Sequence, residues 1–64
     1  MPHPGRITVA VVDDHPLSRR GIISLLETLE NAEVVGDAAG VDEAVDLVAS
    51  ATPDVVLMDL DLGG

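Results

Sequence analysis

Two pairs of aspartates are the residues best suited to chemistry in this chain of 64 residues. Asp13 and Asp14 follow an apolar run near the start of the chain. Asp59 and Asp61 follow a second apolar run near its end. Carboxylates that converge repel one another unless a cation lies among them, and an all-oxygen ligand set suits Mg²⁺ better than zinc. The acids therefore predict a magnesium site if the fold brings the two pairs together.

His15 directly follows the first pair of acids. Because a helix is expected to begin at the next residue, Pro16, we expect His15 to lie on the surface or to cap that helix rather than to bind a metal. The chain contains no Cys that could provide a softer metal site.

Three apolar segments predict the strands that must position the acids. Residues 7–12 are rich in β-branched side chains and almost continuously apolar, which is typical of a central strand in a parallel sheet. Residues 33–37 are less apolar and are expected at an edge of the sheet. Residues 55–58 form a short apolar run between turn-forming residues, which favours a third strand.

Between these strands the apolar period changes to that of a helix. The first predicted helix runs from Pro16 to a break at Asn31, and Arg19 is expected on its outer face. Its apolar stripe comprises Ile22, Leu25, Leu26 and Leu29. The stripe of the second predicted helix comprises Val41, Ala44, Val45 and Val48.

The resulting order, β-α-β-α-β, favours a parallel sheet with right-handed crossovers. If the two crossovers place strands two and three on opposite sides of strand one, the strand order is 2-1-3. Strands one and three then meet at a topological switch point, and ligands bind outside the carboxyl ends of such strands. Both aspartate pairs would be delivered to that crevice.

Charge and hydropathy exclude several classes of protein. Twelve acidic residues against three Arg give a net charge of −9, so the chain repels nucleic acids and anionic membranes. No apolar run approaches the roughly 18 residues of a membrane span, and no signal peptide is recognisable. We therefore expect a cytoplasmic protein with no membrane partner. Residues 1–5 are expected to be a disordered tail.

Four stretches resemble the first half of a response-regulator receiver domain of two-component signalling. They are residues 11–17 (VVDDHPL), 33–40 (EVVGDAAG), 43–45 (EAV) and 53–60 (PDVVLMDL). The Asp-Asp-His-Pro start is most similar to the NarL/FixJ subgroup, whose receivers precede a LuxR-type helix-turn-helix DNA-binding domain. The resemblance implies a flavodoxin-like (CheY-like) three-layer α/β fold with parallel strand order 2-1-3. Residues 6–64 would form its N-terminal half.

The resemblance also implies a role for each acid. Asp59 would be the phosphoacceptor, and its partner would be a sensor histidine kinase. Mg²⁺ would be held by Asp14, Asp59 and the backbone carbonyl of Asp61, with Asp13 acting directly or through water. Such a domain is not an enzyme beyond its own phosphorylation and dephosphorylation. The parent protein would control transcription through a DNA-binding domain absent from this chain.

Several family features are absent from the sequence. Receivers also use a Thr or Ser that ends the fourth strand, a Lys that ends the fifth and a switch aromatic residue. The chain ends soon after Asp59 and has no Lys or aromatic residue. We therefore expect a chain truncated after the third strand, which becomes an exposed edge. Since such an edge templates pairing with another chain, we expect a homodimer through the third strand.

Two alternatives remain open from the residues alone. The spacing Asp59-Leu60-Asp61 also resembles the Asp-x-Asp motif of haloacid-dehalogenase-like phosphohydrolases. That interpretation leaves the first pair of acids without a function. The other alternative is a dimerisation module that is not phosphorylated, in which the acids form a solvated rim.

Overall fold

A computed structural model describes residues 5–59 of the chain. Within this range three parallel strands and two helices alternate along the sequence. Their bounds are β1 Ile7–Val12, α1 Pro16–Glu27, β2 Ala32–Ala38, α2 Val41–Ala51 and β3 Val55–Met58. The strands form one sheet in the order β2-β1-β3, and β1 pairs in parallel with each neighbour. The predicted β-α-β-α-β arrangement and strand order 2-1-3 are confirmed.

The core is built around the central strand β1. Five of its six residues are buried, and Val11 and Val12 are the largest fully buried side chains among the described residues. Hydrogen-bonded strands on both sides and helices against the sheet remove β1 from water, which explains its continuous apolar sequence. The strand that carries the first pair of acids is therefore the most constrained one.

Helix α1 ends at Glu27, four residues before the predicted break at Asn31. At this end the Thr28 hydroxyl donates a hydrogen bond to the Leu25 carbonyl oxygen at 2.7 Å. A Thr side chain that binds the preceding turn competes with continuation of the helix, and Leu29 then lies outside it. The predicted stripe is thus only partly correct, because Leu25 is largely exposed.

Helix α2 is rotated relative to the predicted apolar stripe. Ala44 is buried and Leu47 packs against the core residues Val12, Ala38 and Ala44. The three valines of the predicted stripe are all exposed: Val41, Val45 and Val48. The cause is the close approach of α2 to β2, where a Cβ atom built on Gly36 would lie 2.5 Å from Leu47 Cδ1. Since Gly36 has no side chain, Leu47 occupies that space.

Strand β3 lies at the edge of the described sheet, and all four of its residues are exposed. Its start is fixed to β1 by four reciprocal hydrogen bonds between Thr8 and Asp54. The Thr8 amide and hydroxyl both donate to Asp54 Oδ2, at 2.9 and 3.0 Å. In return the Asp54 amide donates to Thr8 Oγ1 at 2.9 Å and to the Thr8 carbonyl oxygen at 3.0 Å. We call these contacts the Thr8–Asp54 clasp.

Two predictions concern residues outside the described range of 5–59. One is the loose tail, of which only Gly5 is described, and the other is the position of Asp61. Neither helix within the described range combines the length and the apolar character needed to cross a membrane.

Candidate functional site

The pairing of β1 with β3 brings the two acidic segments together. Val12 lies opposite Met58 in the parallel register, so the residues that follow them, Asp13 and Asp59, leave the sheet side by side. The Asp59 amide donates a hydrogen bond to the Val12 carbonyl oxygen at 2.9 Å, which extends the pairing by one residue. The crevice is thus at the carboxyl ends of adjacent strands, as the sequence predicts.

Four side chains meet in this crevice: Asp13, Asp14, His15 and Asp59. One potential ligand atom from each lies within 4.8 Å of the other three. Three of these atoms are carboxylate oxygens, which suit Mg²⁺. Of the sequence-predicted site residues, the structure brings together Asp13, Asp14 and Asp59, whereas Asp61 lies outside the described range. We call the four residues the acidic pocket.

The members of the acidic pocket differ in burial. Asp13 is buried at the end of β1, whereas the Asp14 and Asp59 side chains retain 31% and 25% of their exposure. A solute can therefore reach Asp59 from the open side of the crevice. A groove of about 650 Å³ continues from Asp13 and Asp59 between α1 and β3, where Ile22, Leu57 and other residues line it.

His15 has contacts that its sequence position did not predict. Its Nδ1 atom lies 3.1 Å from Asp13 Oδ1, 2.9 Å from Asp14 Oδ1 and 3.3 Å from Asp59 Oδ2. The residue occupies the N-cap position of α1, but its side chain makes no capping hydrogen bond. Of the two predicted positions, surface or cap, the structure favours the surface, since the side chain is 59% exposed. The sequence feature that could have predicted these contacts is the position of His15 directly after two acids at the end of a strand.

Hydrogen bonds and charge set the protonation of two members of the acidic pocket. The His15 amide donates to Asp13 Oδ1 at 2.8 Å, and this bond holds the pKa of Asp13 below its ordinary value although burial opposes the shift. The hydrogen bond with Asp13 and the charge of Asp14 raise the pKa of His15. The pocket therefore favours ionised Asp13 and attracts positive charge.

Arg19 fixes the backbone beneath the acidic pocket. Its NH1 group donates to the Asp13 carbonyl oxygen at 2.7 Å, and its Nε group lies 2.9 Å from Asp37 Oδ2. The prediction that Arg19 lies on the outer face of the helix is wrong. Arg19 lies in the first turn of α1, soon after the acids at the end of β1. From there its side chain reaches the ends of β1 and β2. Arg19 thus ties three elements together at the functional end of the sheet.

The donor set is compatible with a divalent cation. The ligand atoms come from residues fixed by β1 pairing, by the Asp59–Val12 backbone bond and by the His15 amide bond to Asp13. A cation at their centre would neutralise the repulsion among three carboxylates. Chemically, the arrangement offers a partly exposed carboxylate nucleophile, Asp59, beside carboxylates that can hold a metal.

Comparisons with known proteins agree with this geometry. The sequence model of the family described as "Response regulator receiver domain" matches residues 9–64. The nitrate/nitrite response regulator NarP of Escherichia coli is 44% identical over 64 residues, which are 100% of this chain and 30% of that protein. The response regulator GacA of Pseudomonas aeruginosa is 45% identical over 58 residues, 91% of this chain and 27% of that protein. The chain thus spans less than a third of the curated relatives it matches.

A solved structure has the same fold. The signal receiver domain of the NarL response regulator from Mycobacterium tuberculosis superposes with a TM-score of 0.87 at 38% sequence identity. The match covers 95% of this chain and 49% of that one. The flavodoxin-like receiver fold predicted from the sequence is confirmed. With the family match, these similarities establish that the chain belongs to the response regulator receiver domain family, among relatives of the NarL and NarP type.

Proposed function

We propose that Asp59 accepts a phosphoryl group from a phosphohistidine of a sensor kinase, with Mg²⁺ bound in the acidic pocket. The observation that carries this proposal is the convergence of Asp13, Asp14 and Asp59 at the carboxyl ends of β1 and β3. Family membership supports it, because the matched relatives are response regulators. The partial exposure of the Asp59 side chain supports access for a large donor.

The transfer is a single displacement at phosphorus. An Asp59 carboxylate oxygen attacks the phosphorus atom, an O–P bond forms, and the P–N bond to the donor imidazole breaks. The leaving nitrogen keeps the bonding electron pair and takes up a proton, and an acyl phosphate remains on the aspartate. The backbone bond from Asp59 to Val12 fixes the nucleophile at the strand end, which lowers the entropic cost of the reaction.

The remaining residues of the acidic pocket bind and orient. Asp14 and Asp59 would hold the cation through carboxylate oxygens, and Asp13 would bind it directly or through water. The backbone carbonyl of Asp61, outside the described range, completes the proposed ligand set. When bound, Mg²⁺ neutralises charge on the transferring phosphoryl oxygens. Arg19 holds the Asp13 backbone in place during transfer.

For the whole regulator we propose control of transcription through a separate DNA-binding domain. The relatives include a protein named a transcriptional regulatory protein, LiaR of Bacillus subtilis, of which this chain covers 28%. DNA contact by this part of the chain is disfavoured by its net charge of −9.

The family match favours the receiver over the phosphohydrolase alternative. The pocket geometry adds a second reason, since Asp13 and Asp14 lie beside Asp59 and share its site rather than standing apart. The dimerisation module without phosphorylation remains the second candidate, supported by the exposed edge of β3.

Phosphoryl transfer can be tested with acetyl phosphate and Mg²⁺, with intact mass spectrometry as the readout. We expect the addition of one phosphoryl group to the wild-type chain and its complete loss in Asp59→Asn. Asp46→Asn, which changes an exposed acid on α2, is the matched control and should be labelled like wild type. Labelling that persists in Asp59→Asn, or no labelling of wild type at saturating Mg²⁺, contradicts the proposal and favours the dimerisation module.

A further inference from the structure

Arg19 and Asp37 lie outside the acidic pocket but are connected to its backbone. We infer that they form a positioning pair, in which Asp37 orients the Arg19 guanidinium and Arg19 holds the peptide unit between Asp13 and Asp14 in the conformation that binds a cation. The inference rests on the cation site of the proposed function. It makes the end of β2, and not only the ends of β1 and β3, part of the functional site.

The Asp13 carbonyl oxygen lies where the ladder between β1 and β2 ends. The Asp13 amide still donates to the Ala38 carbonyl oxygen at 3.0 Å, but Ala38 is the last residue of β2. A buried carbonyl needs a hydrogen-bond donor, and the strand does not continue to provide one. Arg19 takes the place of that donor, since its Nη1 group donates to the Asp13 carbonyl oxygen at 2.7 Å.

The bond from Arg19 acts on Asp14 through the planar peptide. The Asp13 carbonyl and the Asp14 amide belong to one rigid plane, so a fixed carbonyl oxygen also fixes the direction in which the chain leaves β1. That direction determines where the Asp14 carboxylate lies relative to Asp13 and Asp59. Arg19 therefore affects the geometry of the acidic pocket without entering it.

Asp37 gives the guanidinium its orientation. Its Oδ2 atom lies 2.9 Å from Arg19 Nε, which is a different nitrogen from the one that binds Asp13. A planar guanidinium held at two nitrogens has one orientation, which a Lys ammonium could not reproduce. Only 21% of the Arg19 side chain is exposed, so solvent screens its contacts less than those of an open surface pair.

Charge alone predicts the opposite effect for Arg19. A positive group close to three carboxylates disfavours a bound cation, so by charge alone the loss of Arg19 strengthens cation binding. If Arg19 positions the acids, its loss weakens cation binding instead. Asp37 is distinguished in another way. As a bare negative charge it favours the cation in any background, whereas as the partner of Arg19 it matters only while Arg19 is present.

The test is titration of the chain with Mg²⁺, followed by the backbone amide resonance of Asp59 in NMR spectra. The variants are Arg19→Ala, Asp37→Asn and the double variant, each kept at a temperature at which circular dichroism shows it to be folded. Arg20→Ala is the matched control for Arg19→Ala, because Arg20 is an exposed neighbour on α1 with the same charge. Asp46→Asn, which changes an exposed acid on α2, is the control for Asp37→Asn.

We expect Arg19→Ala to raise the Mg²⁺ concentration at half saturation about tenfold or more, because loss of a group that orients a metal ligand typically costs roughly 10- to 100-fold in affinity. Arg20→Ala should not raise it. Asp37→Asn should raise it by a smaller factor, and should add nothing in the Arg19→Ala background. Before any Mg²⁺ is added, the ¹³C resonance of the Asp13 carbonyl should already shift in Arg19→Ala, because that carbonyl has lost its donor.

A half-saturation concentration that is unchanged or lower in Arg19→Ala overturns the positioning pair and leaves the proposed function intact. An effect of Asp37→Asn that persists in the Arg19→Ala background also overturns the pair, because Asp37 would then act through its charge alone. If the wild-type chain responds to Mg²⁺ but is not labelled by acetyl phosphate, only the proposed phosphoryl transfer fails. If it does not respond to Mg²⁺, both proposals fail.

Discussion

Strands β1 and β3 lie side by side and carry the acids of one pocket, but their surroundings are opposite. β1 is central, and five of its six residues are buried. β3 has four exposed residues and one neighbouring strand within the described part of the chain. The apolar sequences of the two strands are similar, so the difference comes from position in the sheet and not from composition.

This difference shows how an edge strand can still carry a precise site. β3 is fixed at both ends, by the Thr8–Asp54 clasp at its start and by the Asp59–Val12 backbone bond at its end. The buried strand supplies the rigid half of the acidic pocket, and the clasp sets the register of the other half. The two aspartates that flank β3 thus have different tasks, since Asp54 is fully engaged by Thr8 whereas Asp59 faces other charged groups.

The largest expected effect concerns the exposed edge of β3. Pairing through the third strand remains a prediction, and light scattering should give the mass of two chains. A charge on an edge strand blocks such pairing, so Val56→Lys should return the mass to that of one chain. Val48→Lys is the control, because Val48 is an apolar residue of nearly the same exposure, 40% against 37% for Val56, but lies on α2. A single-chain mass for wild type together with a cooperative melt would contradict the prediction.

A smaller effect is expected from breaking the clasp. Thr8→Val keeps the buried shape but removes the hydroxyl that donates to and accepts from Asp54. Because a typical protein hydrogen bond contributes about 1 kcal/mol and the variant loses two, the free energy of unfolding should fall by about 2 kcal/mol. Urea denaturation measures it.

Thr8→Ser is the matched control for this change, since it retains the hydroxyl. It should be more stable than Thr8→Val. Equal stability of the two variants would mean that the Thr8 hydroxyl contributes nothing and that the bonds made by the backbone groups of Thr8 and Asp54 hold the start of β3.

The smallest effect is a pH dependence of stability. Hydrogen bonds from the Thr8 backbone and hydroxyl hold the pKa of Asp54 below its ordinary value. Below a pH of about 4, Asp54 becomes protonated in the unfolded chain while it is still ionised in the folded chain. The stability that ionised Asp54 contributes is therefore lost as the pH falls toward and through the pKa of Asp54 in the folded chain. The contribution is fully present at neutral pH.

Acid unfolding of wild type and Asp54→Asn, followed by circular dichroism, measures this dependence. Wild type should lose more stability on acidification than Asp54→Asn, because the asparagine cannot be protonated in this range. Asp46→Asn should retain the wild-type slope. Parallel curves for wild type and Asp54→Asn would show that the clasp does not depend on the charge of Asp54.

Local sequence patterns predicted the strands, the helices and much of the acidic pocket, because these features are set mainly by residues that are close together in sequence. The apolar run of β1, the turn-forming residues around β3 and the positions of Asp13, Asp14 and Asp59 at strand ends are such patterns. The family resemblance added the strand order and the functional roles. The orientation of α2 was not predictable in this way, since it depends on the space that Gly36 leaves for Leu47.

The sequence by itself determined the order of the elements, the central position of β1 and the delivery of two acidic segments to one end of a sheet. Only the tertiary structure decided which side chains complete the pocket. Arg19 was expected on the outer face of α1, and His15 was expected at the surface without contacts to the acids, yet both bind groups at the end of β1. The physical reason is that their partners include Asp59 and Asp37, which lie far away in sequence and reach this end of the sheet only when the strands pair.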